Sequence, residues 1–431
     1  MYLRLLRYFI SLYWWDRQPV EKVRAMQIKK FKKLFEFAKE NSEFYKKLYK
    51  EAGVYDLNIQ TYEDINKLPV IDKSLLKKHD YQEILTVPID AKKLNIHSTS
   101  GSTGEPFKLY FNKYEDYTAH CRVLYSLMKE GYSPFKKLTM ISRYESNESF
   151  QIENELGLLR RLQQKCKLFK RDIISIYEPP DQVIDKILES PPDILWTTPS
   201  ILQIIAIRLK ERNLNFNIPN LFVTSENISK TQNTLFRNYV SKRIIEHYGL
   251  MECPTIALSN NDPFIKRVFS NSVVIEYLDI KERGENLFGK PIITNLVNYT
   301  MPIIRYDTRD DGYIIQNEKD FPIKVIGPIL GRQDDILDIG KGNKLAHHHV
   351  AEMFMDFHEV DMYRFIKKNN IVTLQLKANK KCKLSNKEIE NLAIERWNKR
   401  FLGIALNIEF VDNFKVDKKT GKFRNMISYD N

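Results

Sequence analysis

Thr99-Ser100-Gly101-Ser102-Thr103-Gly104-Glu105-Pro106 is the stretch that decides how the chain is interpreted, because it holds two glycines and four hydroxyl side chains in eight positions. Glycine lets the backbone turn and approach a ligand closely. Successive backbone N–H groups and hydroxyls form a cradle for phosphate oxygens. The segment that follows, Phe107-Lys108-Leu109-Tyr110-Phe111, predicts a strand, so we expect the loop to join two strands. A P-loop would instead end in Gly-Lys-Ser/Thr and open a helix, and that ending is absent.

The length and composition of the chain indicate a globular protein with more than one domain. Its 431 residues are enough for one large core and a smaller domain. A hydrophobic content of 43% and an aromatic content of 12% argue against a disordered chain. The four cysteines are scattered without a Cys-x-x-Cys pair, which argues against a zinc knuckle or a disulfide framework. A reducing, cytoplasmic setting is therefore expected.

Positive charge is concentrated at the N-terminus, where residues 1–50 hold thirteen Lys and Arg against five Asp and Glu. The first 15 residues are apolar and aromatic, but arginines interrupt them and no run approaches the ~20 residues of a membrane span. Two interpretations stay open. The simpler is an amphipathic helix packed on the main domain; the other is a peripheral helix resting on an anionic membrane surface. The basic surface would also suit an acidic carrier protein. We expect no nucleic-acid partner, and the oligomeric state is left open.

The order of predicted elements indicates an α/β protein. Residues 20–52 are expected to form one long amphipathic helix. Two short apolar segments around Trp196 and Phe222, separated by a helical pattern over 200–212, are typical of buried strands in an α/β sheet. Residues 273–330 predict short strands of a small barrel or distorted sheet. Beyond Gly331, a hairpin, a capped helix and a strand predict a compact α+β domain of about 100 residues. The expected domains are therefore residues 1–330 and 331–431.

Four further motifs follow the glycine-rich loop. They are Tyr248-Gly249-Leu250-Met251-Glu252, Arg305-Tyr306-Asp307-Thr308-Arg309-Asp310, Gly331-Arg332-Gln333-Asp334-Asp335 and Thr420-Gly421-Lys422-Phe423-Arg424. With the loop, they resemble the adenylate-forming superfamily of AMP-forming acid ligases. Thr-Arg-Asp in place of Thr-Gly-Asp resembles the phenylacetate–coenzyme A ligase branch, which includes homologues associated with capsular polysaccharide synthesis. The resemblance runs from Asn41 to Lys422. It implies a large N-terminal α/β adenylation domain with a small β-barrel, followed by a small mobile α+β domain.

The resemblance also implies an ATP site with a magnesium ion. The residues expected to bind the ATP phosphates are Thr99, Ser100, Gly101, Ser102, Thr103 and Gly104. Tyr248 and Gly249 would contact the nucleotide, the tyrosine by packing on adenine. Glu252 would act in catalysis by binding Mg²⁺, which prefers oxygen ligands. Met251 stands where the family usually has threonine, so metal and phosphate contacts are expected to be weaker or mediated by water.

The remaining motifs would complete the nucleotide site and move the small domain. Asp310 matches the ribose-binding aspartate, and Arg332 would reach the ribose or a phosphate. Arg305 or Arg309 is expected to meet a phosphate or the substrate carboxylate, because guanidinium pairs with either. Asp334 matches the hinge about which the small domain rotates. Lys422 matches the catalytic lysine, a cation that would stabilise charge at the α-phosphate.

The implied reaction has two steps. A carboxylic acid attacks the α-phosphate of ATP to give an acyl-adenylate and pyrophosphate, and the thiol of coenzyme A then displaces AMP. The first alternative differs in the acceptor, which would be a carrier protein or an amino sugar of a surface polysaccharide. The second is a non-catalytic nucleotide-binding relative, which only the departure at Met251 favours. The sequence does not identify the acid.

Overall fold

The computed structural model describes residues 1–90, 93–98, 107–133, 135–142, 170–283, 286–315, 322–332, 337–340, 342–345, 347–354, 357, 359–369, 371–380, 382–412, 414 and 425–429. The chain forms two compact units. The first contains residues 1–131 and 247–329, and the second contains residues 132–246 and 330–431. The chain therefore leaves the first unit, returns to it, and leaves it again at residue 330. The proposed division into domains 1–330 and 331–431 stays a prediction.

The first unit begins with helices whose apolar faces pack into its core. Their bounds are α1 Tyr2–Trp15, α2 Val20–Asn41, α3 Glu43–Glu51, α4 Tyr62–Asn66, α5 Lys73–Leu76, α6 Tyr81–Ile84 and α7 Lys113–Lys129. In α2, Phe31, Leu34, Phe35 and Ala38 recur at helical spacing and are all fully buried. Asn112 begins α7 through a capping box with Glu115.

The prediction of one helix over residues 20–52 is wrong, because the backbone breaks at Ser42. This residue is extended, with φ −124° and ψ 120°, and its side chain accepts a hydrogen bond from the backbone N–H of Tyr45. The Ser42 hydroxyl also donates to the carbonyl oxygens of Glu83 and Ile84. Contacts with a distant segment thus stabilise a break that the apolar periodicity does not reveal.

The strands of the first unit place the candidate motifs. Strands β1 Leu94–Ser98 and β2 Lys108–Asn112 form an antiparallel pair, so the predicted strands on either side of the glycine-rich loop are confirmed. Strand β7, Ile244–Tyr248, crosses from the second unit into the first, and only its last two residues belong to the first unit. The remaining strands of the first unit are β8 Ala257–Asn260, β9 Asp262–Val268, β10 Val273–Arg283, β11 Asn286–Asn295, β12 Tyr306–Asp307, β13 Asp310–Ile314 and β14 Val325–Ile326. The end of β7 pairs with β8, β8 with β9, and β9 with β14, all antiparallel.

A second sheet of the first unit is built on the antiparallel pair β10 and β11, with β12 and β13 both pairing to β11. Strand β10 spans 11 residues and β11 spans 10, so the expectation of only short strands here is wrong. Gly289 and Pro291, which are residues typical of turns, lie inside β11. A register shift between Leu278 and Lys281 lets the pair bend. Strand β15, Ile329–Arg332, follows at the boundary between the units.

The second unit contains a parallel sheet in the order β4, β3, β5, β6 and the start of β7. Strands β3 Leu138–Ser142, β4 Arg171–Ser175, β5 Ile194–Thr197 and β6 Asn220–Val223 are accompanied by helices α8 Pro180–Glu189, α9 Pro199–Glu211 and α10 Lys230–Tyr239. The predicted buried strands around Trp196 and Phe222 and the helix between them are confirmed. All four residues of β6 are buried, as expected for a strand covered on both faces.

The end of the chain forms an α+β structure. Its elements are β16 Leu337–Gly340, β17 Asn343–Leu345, α11 His347–Phe354, β18 Val360–Lys368, β19 Ile371–Ala378, α12 Asn386–Asn398, β20 Asn407–Phe410 and β21 Met426–Ser428. Its largest sheet has the order β20, β19, β18, β21. Lys210 on α9 lies 2.9 Å from a carboxylate oxygen of Asp361 and 2.8 Å from the amide oxygen of Asn379, which ties this segment to the rest of the second unit. Within the described part of the chain, no helix is long and apolar enough to cross a membrane.

Candidate nucleotide site

A turn between β7 and β8 sets the position of Tyr248 and Glu252. The backbone N–H of Ile256 donates to the carbonyl of Tyr248, and Leu250 and Cys253 exchange two backbone hydrogen bonds. Gly249 is required by this turn, because a Cβ atom there would lie 2.2 Å from the carbonyl oxygen of Pro254. The turn therefore needs glycine for its own packing, whether or not the backbone also approaches a ligand.

The second motif lies on a turn between β12 and β13. Tyr306 is paired with Ile293 of β11 and also bridges to Ile71, so its backbone is held from two sides. Arg309 adopts a positive φ of 56° in the turn, and its N–H donates to the Asp307 carboxylate. Asp310 follows at the start of β13, with its own N–H donating to the Thr308 hydroxyl. Tyr306 and Asp310 therefore lie in fixed positions on either side of the turn.

Two side-chain hydrogen bonds connect these turns. The hydroxyl of Tyr248 donates to Oδ2 of Asp310 at 2.7 Å, and the hydroxyl of Tyr306 donates to Oε1 of Glu252 at 2.8 Å. Tyr248, the first residue of one motif, thereby contacts Asp310, the last residue of the other, and Tyr306 contacts Glu252, the last residue of the first motif. All four residues are less than 9% exposed. We call this arrangement the crossed tyrosine–carboxyl pairs.

The surroundings of Tyr248 keep its hydroxyl as a hydrogen-bond donor. Burial, reinforced by the neighbouring carboxyl of Asp310, raises the pKa of Tyr248 well above its usual value. Tyr248 therefore stays protonated at neutral pH. The side-chain amide of Asn295 donates to the backbone carbonyl of Glu252 at 3.3 Å, which holds the main chain of Glu252 in place. A carboxyl oriented by a tyrosine hydroxyl keeps further acceptor positions for a ligand.

Comparisons with known proteins find curated relatives and solved structures that resemble this chain. The phenylacetate-coenzyme A ligase of Aromatoleum evansii is 22% identical over 96% of this chain and 97% of its own length. Protein CapK of Staphylococcus aureus is 23% identical over 72% of this chain and 68% of its own length. A crystal structure of 2-hydroxyisobutyryl-CoA ligase in the postadenylation state, in complex with R3-HIB-AMP, aligns with a TM-score of 0.74 at 16% identity, covering 96% of this chain and 91% of that one. No protein-family model matches.

The chain has the fold of an adenylate-forming ligase. The predicted resemblance to this superfamily and to its phenylacetate–coenzyme A ligase branch is confirmed by these likenesses. The expected fold class, α/β with an α+β segment at the end of the chain, is confirmed as well.

Several predicted site residues lie outside the part of the chain that the structure describes. They are Thr99, Ser100, Gly101, Ser102, Thr103, Gly104, Asp334 and Lys422, together with the side chain of Arg332. Their roles therefore stay predictions. Of the other predicted residues, Tyr248, Gly249, Glu252 and Asp310 are brought together in the first unit.

The structure assigns Arg305 a structural role, which corrects the expectation that it meets a substrate group. Its guanidinium lies 3.0 Å from the Glu276 carboxylate, and both side chains are 3% exposed. The same guanidinium donates to the carbonyl oxygens of Asn66 and Leu68. Burial raises the pKa of Glu276, while Arg305 opposes that rise. Arg309 is instead partly exposed and pairs with Asp72 at 2.7 Å.

The carboxyl of Glu252 fits a magnesium ion bound together with ATP. Its Oε1 accepts from Tyr306, and among the described residues no Lys, Arg or His forms an ion pair with it. No group of three His, Cys, Asp or Glu side chains that could hold a metal occurs in the described ranges. Magnesium in such sites usually takes one or two carboxylates and completes its shell with phosphates and water, so a single buried carboxylate suits it.

Tyr306 is a residue of the candidate site that the sequence analysis did not identify. It lies inside a motif recognised for Asp310, but no role was assigned to it. The signal was available, since Tyr248 and Tyr306 each precede an acidic residue by four positions, in Tyr-x-x-x-Glu and Tyr-x-x-x-Asp. What the sequence does not show is the exchange of partners, because each tyrosine binds the acid of the other motif.

Proposed function

We propose that the protein is an ATP-dependent ligase that activates a carboxylic acid as an acyl-AMP and transfers the acyl group to coenzyme A. The observation that carries the proposal is the crossed tyrosine–carboxyl pairs. They hold an acceptor suited to ribose hydroxyls, Asp310, close in the fold to a carboxyl suited to Mg²⁺, Glu252. The printed names of the relatives, phenylacetate-coenzyme A ligase and 2-hydroxyisobutyryl-CoA ligase, support an acid and coenzyme A as substrates.

The described residues would contribute binding and orientation. Asp310 accepts hydrogen bonds from the ribose, as carboxylates do in other nucleotide sites. Tyr248 packs against adenine and, through its hydroxyl, orients Asp310. Glu252, oriented by Tyr306, holds the metal. Mg²⁺ bound there would neutralise charge on the triphosphate and help pyrophosphate to leave.

The motif residues outside the described ranges complete the proposal. The loop from Thr99 to Gly104 binds the phosphates, and Arg332 contacts the ribose or a phosphate. Lys422 stabilises the charge that grows at the α-phosphate while the acid attacks. Asp334 is the hinge about which residues 331–431 rotate between the two half-reactions.

The acceptor is the least constrained part of the proposal. Coenzyme A is favoured by the names of the ligases above, whereas the likeness to CapK keeps open an acceptor in capsular polysaccharide synthesis, either a carrier protein or an amino sugar. A non-catalytic nucleotide-binding protein is the third candidate. Its supporting feature is Met251, which is 37% exposed and lacks the hydroxyl of the usual threonine.

Acid-dependent exchange between ATP and pyrophosphate tests the first half-reaction with a panel of aryl-acetic and aliphatic acids. We expect one class of acid to support exchange. Asp310→Asn should weaken AMP binding by at least about tenfold, since an amide loses the charged acceptor. Asp56→Ala, at an exposed position, serves as the control variant. Binding of ATP without exchange for any acid would favour the non-catalytic candidate.

The second half-reaction is tested with preformed acyl-AMP. Lys422→Ala should abolish acyl-AMP formation but leave transfer to coenzyme A largely intact. Asp334→Pro should do the reverse, because proline fixes the backbone at the hinge. Equal loss of both half-reactions in either variant would contradict its assigned role. Acyl transfer to a carrier protein or amino sugar in place of coenzyme A would change the acceptor while leaving the adenylation proposal intact.

A further inference from the structure

Helix α1 has two apolar faces, and among the described residues only one of these faces packs against the rest of the first unit. The packed face includes Tyr8 and Leu12, which are 8% and 2% exposed. The opposite side carries Leu3, Leu6, Ile10 and Trp14, which are 62%, 55%, 57% and 52% exposed. Their spacing of three, four and four residues places them on one side of the helix. We call these four residues the outer stripe.

The packed face fixes the orientation of α1, so the outer stripe is held outward. The Tyr8 hydroxyl lies 2.6 Å from the Ser272 hydroxyl and accepts from the guanidinium of Arg122 at 2.8 Å. The ring of Tyr13 packs edge-on against Tyr125, with 4.6 Å between centroids. These contacts come from α7 and from the segment before β10, so α1 is anchored along its length rather than hinged from one end.

The end of α1 is fixed by charge. The Asp16 carboxylate lies 2.6 Å from Lys129 and 2.7 Å from Arg267, and it accepts from the Tyr125 hydroxyl at 2.8 Å. It is the first acidic residue of the chain. Because Asp16 is already paired, it does not offset the positive charge that α1 presents to solvent.

The charge around the outer stripe is positive. Arg7 is exposed and lies four residues after Leu3 and three before Ile10, so it borders the stripe directly. Arg4 and Arg17 are also exposed, and residues 1–15 contain no acidic side chain. A single helix with a row of aliphatic and tryptophan side chains flanked by arginines is the pattern of helices that lie in the interface of an anionic membrane.

We propose that α1 is a membrane-docking helix, which inserts its outer stripe into the interface of an anionic lipid surface while its other face stays packed on the enzyme. Electrostatic complementarity favours this occupant over a second copy of the chain. A two-fold pairing of outer stripes would bring Arg7 of each copy close to the same residue of the other, and like charges at an interface are unfavourable. An anionic surface meets the same arginines with opposite charge.

Vesicle sedimentation of the full chain tests the proposal, with phosphatidylcholine vesicles that contain either no anionic lipid or about 30% phosphatidylglycerol. The wild type should bind the anionic vesicles and bind more weakly as salt rises. The double variant Leu6→Glu/Ile10→Glu should lose at least about tenfold in binding, because it removes apolar contact and adds like charge. The matched control is Leu402→Glu, at a leucine 85% exposed in the second unit, which should bind as the wild type does.

Measurements on the protein alone keep the result interpretable. The substituted side chains are exposed, so all variants should keep the wild-type melting temperature. Failure of the wild type to bind anionic vesicles, or equal binding by the double variant, would overturn the proposal. Sedimentation velocity identifies the other occupants: a dimer abolished by the double variant without vesicle binding would assign the stripe to a second copy. Binding of an acidic acyl carrier protein with the same dependence on Leu6 and Ile10, and none to vesicles, would assign it to that partner.

Discussion

Removing the hydroxyl group of Tyr248 should weaken the binding of AMP without changing the magnesium concentration that the reaction requires. In Tyr248→Phe the ring that packs on adenine is kept, while Asp310 loses the donor that lies 2.7 Å from its Oδ2. A hydrogen bond to a charged group contributes about 1.5–3 kcal/mol. Only part of this free energy should be lost from AMP binding, because Asp310 keeps its backbone hydrogen bond to Thr308 and its other acceptor positions. We expect a loss of about 1.4 kcal/mol, which is tenfold in Kd.

Tyr306→Phe is the matched control, since it removes an equivalent hydroxyl at 2.8 Å from the other carboxyl, Glu252. It should leave AMP affinity in the presence of a chelator unchanged and raise the magnesium concentration needed for ATP–pyrophosphate exchange. Isothermal titration calorimetry with AMP and chelator, together with a magnesium titration of the exchange rate, separates the two variants. Urea unfolding of both checks that the folded state survives.

Two results would refute the reasoning behind this pair of variants. If Tyr248→Phe binds AMP as well as the wild type or more tightly, its hydroxyl does not orient Asp310 for the ribose. If both variants change AMP affinity and magnesium requirement to the same extent, the crossed tyrosine–carboxyl pairs act as one structural unit. The separate assignments to ribose and metal would then be wrong.

Four further substitutions and a pH titration test the structural framework of the site. Arg305→Ala should lower the free energy of unfolding by about 3–5 kcal/mol, because it leaves a buried carboxylate unpaired; Arg309→Ala, also at a positive φ, should cost less than about 1 kcal/mol by urea titration. Gly249→Ala should destabilise the protein by about 1–3 kcal/mol and impair AMP binding, since its Cβ would collide with the Pro254 carbonyl; an unchanged melting temperature would contradict this. Burial lowers the pKa of His247 from the ordinary 6.5 to about 4, so the folded state binds fewer protons than the unfolded chain. The free energy of unfolding should therefore fall by up to about 3 kcal/mol between pH 6.5 and pH 4, and His247→Asn should flatten this part of the pH profile.

Much of the fold follows from short-range patterns in the sequence. The run Ile194-Leu195-Trp196 predicts a buried strand because a parallel sheet is covered on both faces, and β5 lies there. Ser385 and Glu388 predict the start of α12 because the two side chains satisfy each other's backbone N–H groups. Such features depend on residues within a few positions of one another, which is why they can be derived without the tertiary structure.

The features that could not be predicted depend on partners far away in the chain. Ser42 breaks a helical pattern because the carbonyls of residues 83 and 84 accept its hydroxyl. Gly289 and Pro291 do not interrupt β11, because strands on both sides of it supply the pairing. In each case the local preference is weak, and long-range hydrogen bonds decide the outcome.

The two arginines of the second motif show why residue type alone does not identify a site residue. Arg305 and Arg309 are four positions apart, both have a positive φ, and either could pair with a phosphate. Arg305 does not face a ligand because the buried carboxylate of Glu276, on strand β10, lies 3.0 Å from its guanidinium. Glu276 has no motif of its own, since its importance comes only from the pairing of β10 with β11. The sequence therefore gives the chemistry of the candidate nucleotide site, whereas strand pairing decides which of its charged groups remain available to a ligand.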